Sequence, residues 1–319
     1  MRLRGPMAAV VFACAASLAG AQDYPPLKSR VQPVKVTERA WYVQGSPGVA
    51  SAGNEAYNSN AGFVVTDEGV VVIDALGSPA LGNALLKAIR GVTKQPVRRV
   101  IVTHYHADHF YGLKPFKDAG AEVWAHRASL DYLTGGEAGR RRGQRARDLA
   151  PWIDENTPLL PADRWLEGDE SFTMGGVRFE IQHFGPAHSP EDLVIAVPQE
   201  GVVFSGDILF TGRIPFVGEA DSRAWLARIG RLITMKPRML VTGHGEVSRD
   251  PVRDLVLTRD YLMFLRAEMG KAVQDFVPFE DAYKRTDWSR FAKLPAFEAA
   301  NRVNAYGTYL LMEKESLGK

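Results

Sequence analysis

The sequence predicts a layered α/β fold. Short apolar runs that read as strands alternate with helical stretches, 45% of the 319 residues are hydrophobic, and neither a repeat nor a low-complexity tract interrupts the pattern. Lys+Arg 39 against Asp+Glu 37 is an ordinary globular balance, which excludes a disordered, collagen-like or disulfide-stapled chain. A net charge of +2 carries no polyanion signature, so nucleic acid is not an expected partner.

Arg2 and Arg4 precede an apolar run from Met7 to Ala16, and Ala19-Gly20-Ala21 fits a signal-peptidase site. Residues 1–21 therefore read as a signal peptide. The run is too short to span a bilayer, and no later stretch is long and apolar enough to do so. The lone cysteine, Cys14, lies in this run, and Phe12 two residues before it argues against a lipoprotein. Cleavage removes the thiol, which suits an oxidising compartment, and a periplasmic or secreted location is expected.

Residues 22–33, with Pro25, Pro26 and Pro33, read as a polar leader. Trp41-Tyr42-Val43 reads as a strand, and 45–61, rich in Gly, Ser and Asn, as a mobile loop. Gly62–Val65 and Val70–Ile73 flank Asp67-Glu68-Gly69 as a hairpin. Ser78-Pro79 starts a helix, with Ser as cap and Pro in the first turn, and Leu81, Leu85, Ala88 and Ile89 form its apolar stripe. Val100–Val102 and Glu122–Trp124 are further strands. Residues 127–149 are helix-compatible and carry Arg140, Arg141, Arg142, Arg145 and Arg147. That run reads as a solvated face, the alternative being an anion-steering lip near a site. Strands follow at 176–184, 193–197 and 201–205, then an amphipathic helix from Asp221 to Met235 and a strand at Met239–Val241. The chain is helical from Asp250-Pro251 onward, and 276–319 is expected to be a helical extension.

Chemistry concentrates in the histidines. His104, His106, Asp108 and His109 lie within six residues, directly after a buried strand. In an extended segment His104 and His106 point the same way and can share a metal. A turn into helix then presents Asp108 and His109 beside them, for a second ion. Imidazole and carboxylate suit zinc, with iron or manganese also accepted. Three more candidates sit at or beside strand ends: His188, Asp207 in Ser205-Gly206-Asp207, and His244 in Gly243-His244-Gly245. His126 reads as structural, and His183 as lining the site or hydrogen-bonding a ligand loop.

With Asp74, the ordered set H-x-H-x-D-H, His188, Asp207 and His244 resembles the metallo-β-lactamase superfamily from about residue 34 to 265. The look is closest to glyoxalase II-like enzymes and to the secreted SoxH-like metallohydrolases associated with sulfur oxidation and quinoproteins. The resemblance implies an αββα four-layer sandwich over 34–275, followed by the C-terminal helical extension, with the metals at one edge of the two sheets. It implies that His104, His106 and His188 hold one Zn2+, that Asp108, His109 and His244 hold a second, and that Asp207 bridges them. Asp74 would orient the ligand loop.

The implied activity is hydrolysis of a small acyl substrate (a thioester, ester or lactone) in which the metals activate a water. Asp108 and Asp207 would position that water as well as the metals, Tyr111 would donate to a developing oxyanion, and loop 45–61 and the region near Arg213 would contact substrate. No Cys ligand exists beyond residue 14, and the bridging Asp207 is of the thioesterase-like kind. β-Lactamase activity, or a non-hydrolytic metal-binding role beside a periplasmic quinoprotein system, are the alternatives.

Overall fold

Side-chain alternation along the strands builds the layers. In the computed structural model, which describes residues 23–318, Val70 and Val72 point to one face of their strand while Val71 and Ile73 point to the other, and all four are buried. A strand buried on both faces must sit between two apolar layers. The proposed signal peptide, with Cys14, lies outside the described residues.

Strands β1 (Val34–Lys35), β2 (Ala40–Val43), β3 (Ala61–Thr66), β4 (Gly69–Ile73), β5 (Val97–Ile101), β6 (Glu122–His126) and β7 (Arg164–Leu166) form one sheet in that order. The pairs from β1 to β4 are antiparallel and those from β4 to β7 are parallel. Strands β8 (Glu170–Met174), β9 (Val177–His183), β10 (Leu193–Val197), β11 (Val202–Phe210) and β12 (Met239–His244) form the second sheet, ordered β12-β11-β10-β9-β8. Tyr42, Val64, Ile73 and Trp124 of the first sheet meet Phe179, Ile195, Phe204 and Val241 of the second in the central core.

Helices cover the two outer faces. On the first sheet lie α1 (Pro79–Val92), α2 (Ala107–Phe110) and α3 (Lys114–Asp118), with α4 (Ser129–Thr134) and α5 (Glu137–Leu149) beyond them. On the second lie α6 (Ser222–Thr234), α7 (Pro251–Gln274), α8 (Phe279–Arg285) and α9 (Phe297–Ser316). Ser78 caps α1 through Leu81 N–H at 3.2 Å, with Pro79 in the first turn. Leu81, Leu85, Leu86 and Ile89 are its buried stripe; Ala88, expected there, lies at the edge. The architecture is the expected four-layer α/β sandwich with helices at its C-terminal end. Among the described residues no helix is long and apolar enough to cross a membrane.

Several elements differ from expectation. Residues 127–149 form two helices split at Gly135-Gly136. Strands β7 and β8 were not legible, because they are short, expose Arg164, Ser171 and Thr173, and only half-bury Trp165, Glu170, Phe172 and Met174. The leader is strapped down: Glu55 accepts from the backbone N–H groups of Lys28 and Ser29, and Pro26 O accepts from the Trp152 indole. The loop 45–61, expected to be mobile, is divided: residues 55–60 are buried, whereas 47, 49 and 51–53 are exposed. Asn60 holds it down by donating to the Thr242 and Gly245 carbonyls at 2.9 and 2.7 Å.

Candidate metal centre

The seven residues singled out by sequence converge at one edge of the two sheets, around strand C-termini. His104, His106, Asp108 and His109 follow β5, Asp207 lies within β11, His244 ends β12, and His188 sits on the β9–β10 connection. Rigid strands deliver side chains that are 140 residues apart in sequence to one point.

They fall into two groups, His104, His106, His188 and Asp207, and Asp108, His109 and His244, each with one ligand atom per residue mutually within 4.8 Å. His106 Nδ1 is 3.1 Å from His104 Nε2 and 2.8 Å from His188 Nε2. Asp207 lies between the groups: Oδ2 is 3.3 Å from both His188 Nε2 and His244 Nε2, and Oδ1 is 3.4 Å from His109 Nε2. His244 Nε2 is 3.4 Å from Asp108 Oδ2.

Neighbouring polar groups set the tautomers. Asp74 accepts from Thr103 N–H at 2.7 Å, Thr103 Oγ1 at 2.9 Å and His109 Nδ1 at 2.9 Å. Since the Thr103 hydroxyl donates to Asp74, its oxygen accepts the Nδ1–H of His104, 3.0 Å away. His188 Nδ1 donates to Phe216 O at 3.1 Å, and His244 Nδ1 to Asn58 O at 2.7 Å. With Nδ1 donating, Nε2 of His104, His188 and His244 faces the centre, the arrangement that imidazole ligands need.

The donor set fits metal cations. His109 Nε2 and Asp207 Oδ1 are buried with no hydrogen-bond partner, a costly state unless a cation satisfies them. Burial, then neighbouring imidazoles, hold His104 well below the ordinary histidine range and push His106 down to about 3, so protons do not fill that group. Burial also disfavours charge on His109, but Asp207, Asp74 and Asp108 outweigh it and push that imidazole up to about 10. Burial opposes charge on Asp207, but His244, His109 and His188 hold it well below the carboxylate range. Asp108 is likewise held low, its burial outweighed by His109 and His244.

Backbone detail delivers Asp207. Its strand is irregular between Phe204 and Phe210, and Gly206 has φ +50°, a conformation other residues resist. This kink, unforeseen when the strand was read as ending at 205, turns the carboxylate to the edge. At Gly243 a Cβ would stand 1.9 Å from Asp207 Oδ1, so only glycine fits beside it.

A cavity of about 160 Å³ opens over the centre, lined by His106, Asp108, His188, Asp207 and His244, by Asn58, Val49, Tyr132 and Phe216, and by Arg141, Arg145 and Arg213. Arg213 is buried, donates to Gly48 O at 2.9 Å and lies 3.3 Å from His244 Nδ1. Tyr111, expected as an oxyanion donor, is instead buried in the first-sheet core, because the turn after His109 drives Phe110, Tyr111 and Leu113 inward; Tyr132 lines the cavity. His183 donates Nε2–H to Pro190 O at 2.9 Å, in the loop that carries His188, and stacks on His126 at 3.7 Å between ring centroids. Neither joins the two metal groups.

Sequence reading missed Asn58, which donates to Asp108 Oδ2 at 2.7 Å, and the buried pair Glu191 and Asp192. Glu191 accepts from Tyr105 N–H at 3.1 Å, tying the His104–His109 turn to the His188 loop. Asp192 accepts from Ser189 N–H and Oγ, both at 2.8 Å, and shapes that loop. The Ser189-x-x-Asp192 spacing right after His188 was the available signal.

Residues 55–244 match the family model of the metallo-β-lactamase superfamily. The linear primary-alkylsulfatase of Pseudomonas sp. (strain ATCC 19151) is 23% identical over 64% of this chain, which spans 45% of that enzyme. The metallo-β-lactamase type 2 of Elizabethkingia meningoseptica is 26% identical over 60% of this chain and 70% of its own length. Among solved structures, the sec-alkylsulfatase Pisa1 from Pseudomonas sp. aligns with TM-score 0.67 and 21% identity over 88% of this chain and 50% of its own. A metallo-β-lactamase from Pontibacter korlensis aligns with TM-score 0.56 and 23% identity over 73% of this chain and 98% of its own. The chain thus spans about half the length of the alkylsulfatases it resembles. By the family match over most of its sheet framework, together with the two ligand groups, the chain belongs to the metallo-β-lactamase superfamily, a family of metal-dependent hydrolases.

Proposed function

We propose that the protein is an exported, dinuclear zinc hydrolase of a small acyl substrate, a thioester, ester or lactone. The observation that carries this reading is Asp207, whose two oxygens face both ligand groups within 3.4 Å. When bound in such a site, zinc ions lower the pKa of water toward about 7 and polarise an electrophile.

The chain's own residues determine the rest. No Ser, Thr or Cys lines the cavity among the described residues, so water is the nucleophile available there. Asp108 and Asp207, both held ionised, act as acceptors that orient that water, and Asn58 fixes Asp108 through its Oδ2. Asp74 and the carbonyls of Phe216 and Asn58 hold the imidazoles in register. The sequence features of residues 1–21 support export.

Sulfate-ester hydrolysis is a second reading, favoured by the likeness to the alkylsulfatases. Elemental analysis of protein purified from periplasm, followed by a panel of a 4-nitrophenyl ester, an S-acyl thiol, 4-nitrophenyl sulfate and a chromogenic cephalosporin, separates these readings. Two zinc ions per chain and turnover of the acyl probes are expected. Asp207→Ala or His109→Ala with full activity and both metals retained would remove that residue from its proposed metal-holding role. Metal without turnover of any probe, and co-purification with a quinoprotein, would favour an accessory role.

A further inference from the structure

The helical repeat sorts the arginines of α5 by what they face. Arg142 donates to Thr157 O, and Arg147 to the Gln144 amide oxygen. Arg141 and Arg145, one turn apart, line the same cavity as the metal ligands. Among the described residues neither guanidinium group forms a hydrogen bond or salt bridge. Arg145 is half-buried, so part of its hydration is already lost with nothing returned.

The helix is poorly made as an isolated element. It has interior glycines at 139 and 143, and like charges one turn apart repel. An anion lodged between the exposed Arg141 and the half-buried Arg145 relieves that repulsion and replaces the solvent that Arg145 has lost. Glu137 also lines the cavity, one turn before Arg141, and opposes such an anion without pairing to either arginine. Arg213, the third cation there, is committed to the Gly48 and Ile214 carbonyls.

We propose that Arg141 and Arg145 form an oxyanion subsite at the mouth of the cavity, so that preferred substrates carry a negatively charged group set apart from the scissile bond. This rests on the hydrolase reading and narrows its substrate class. Bidentate guanidinium–carboxylate contacts are the strong members of the hydrogen-bond series, and a cleft with one sign of charge also concentrates its ligand.

The test compares 4-nitrophenyl acetate with 4-nitrophenyl hydrogen glutarate on the zinc-loaded enzyme. Wild type should favour the glutarate ester in kcat/KM. In Arg141→Gln/Arg145→Gln that preference should fall about tenfold, mostly through KM. The Arg141→Lys/Arg145→Lys variant should recover part of it, and Glu137→Gln should increase it. An unchanged preference in the Gln double variant, with zinc content intact, overturns the subsite. If neither ester is turned over, the carboxylic-ester form of the hydrolase reading fails separately, and calorimetry with glutarate decides the subsite. Weaker binding by the Gln double variant supports it, and equal binding overturns it.

Discussion

Asn304, in the last helix, accepts the backbone N–H of Val217 at 2.7 Å. It also accepts from Gly218 N–H at 3.2 Å and donates to Pro215 O at 2.8 Å, so one buried amide clamps both sides of Phe216. The Phe216 carbonyl in turn receives His188 Nδ1–H. The last helix therefore braces the His188 side of the candidate metal centre through the Phe216 loop, and its Ala299 and Ala300 line the cavity directly.

Asn304→Ala should destabilise the fold by about 2–4 kcal/mol, because buried N–H donors lose their acceptor. It should also reduce metal retention, which a surface helix swap would not do. Urea unfolding with elemental analysis of the dialysed variant measures both. Wild-type retention would show that Phe216 is held without the clamp.

Asp74→Asn should weaken metal binding roughly 10–100-fold, the usual cost of losing an anchor behind a ligand. Asn retains one acceptor but loses the charge facing His109 Nδ1. Competition against a chromophoric chelator gives the value, and an unchanged constant would remove Asp74 from the metal-orienting network.

Metal uptake should release protons near neutral pH. With its imidazole pushed up to about 10, His109 is protonated in the metal-free site and must give up that proton to bind through Nε2. Apparent affinity should therefore rise with pH from neutrality toward 10 and level off above it. Calorimetry in buffers of different ionisation enthalpy should report about one proton released; none would contradict the charge state.

Acid should loosen the last helix. Glu315 accepts from Arg266 at 3.1 and 2.8 Å and from Arg223 at 2.6 Å. The Arg266 hydrogen bonds lead in lowering its carboxyl below the ordinary 4.5, against burial and with help from Arg223. A lowered folded value means the stabilisation is complete above 4.5 and is lost as pH falls through the folded value. Glu315→Gln should cost up to about 1 kcal/mol at neutral pH, and the gap to wild type should close below pH 4.5. A gap independent of pH would assign it to packing.

Much of the frame was legible from periodicity. The hairpin of β3 and β4, the Ser78-Pro79 start of α1 and the α6 stripe are local patterns whose physics acts within a few residues. The seven ligands were legible for another reason: imidazole and carboxylate clustered after strands are a chemical signal independent of geometry. The later part of loop 45–61 was misread, since its Gly, Ser and Asn content is the same whether those amides face water or, as Asn58 and Asn60 do, bury hydrogen bonds to the ligand turn and to a strand far along the chain. Tyr111 and Tyr132 show the same limit, because which aromatic faces the cavity depends on how a short turn packs.

Sequence alone determined most of the strand and helix frame and which residues carry the candidate donor groups, because hydrophobic periodicity and ligand chemistry are properties of neighbouring residues. Tertiary structure alone decided that Asp207 stands between two ligand groups, that Arg141 and Arg145 face them while the other arginines of α5 do not line the cavity, and that Asn304 braces the His188 loop. Those relationships join residues tens to hundreds of positions apart, and only sheet register and helix packing bring such residues within reach of one another.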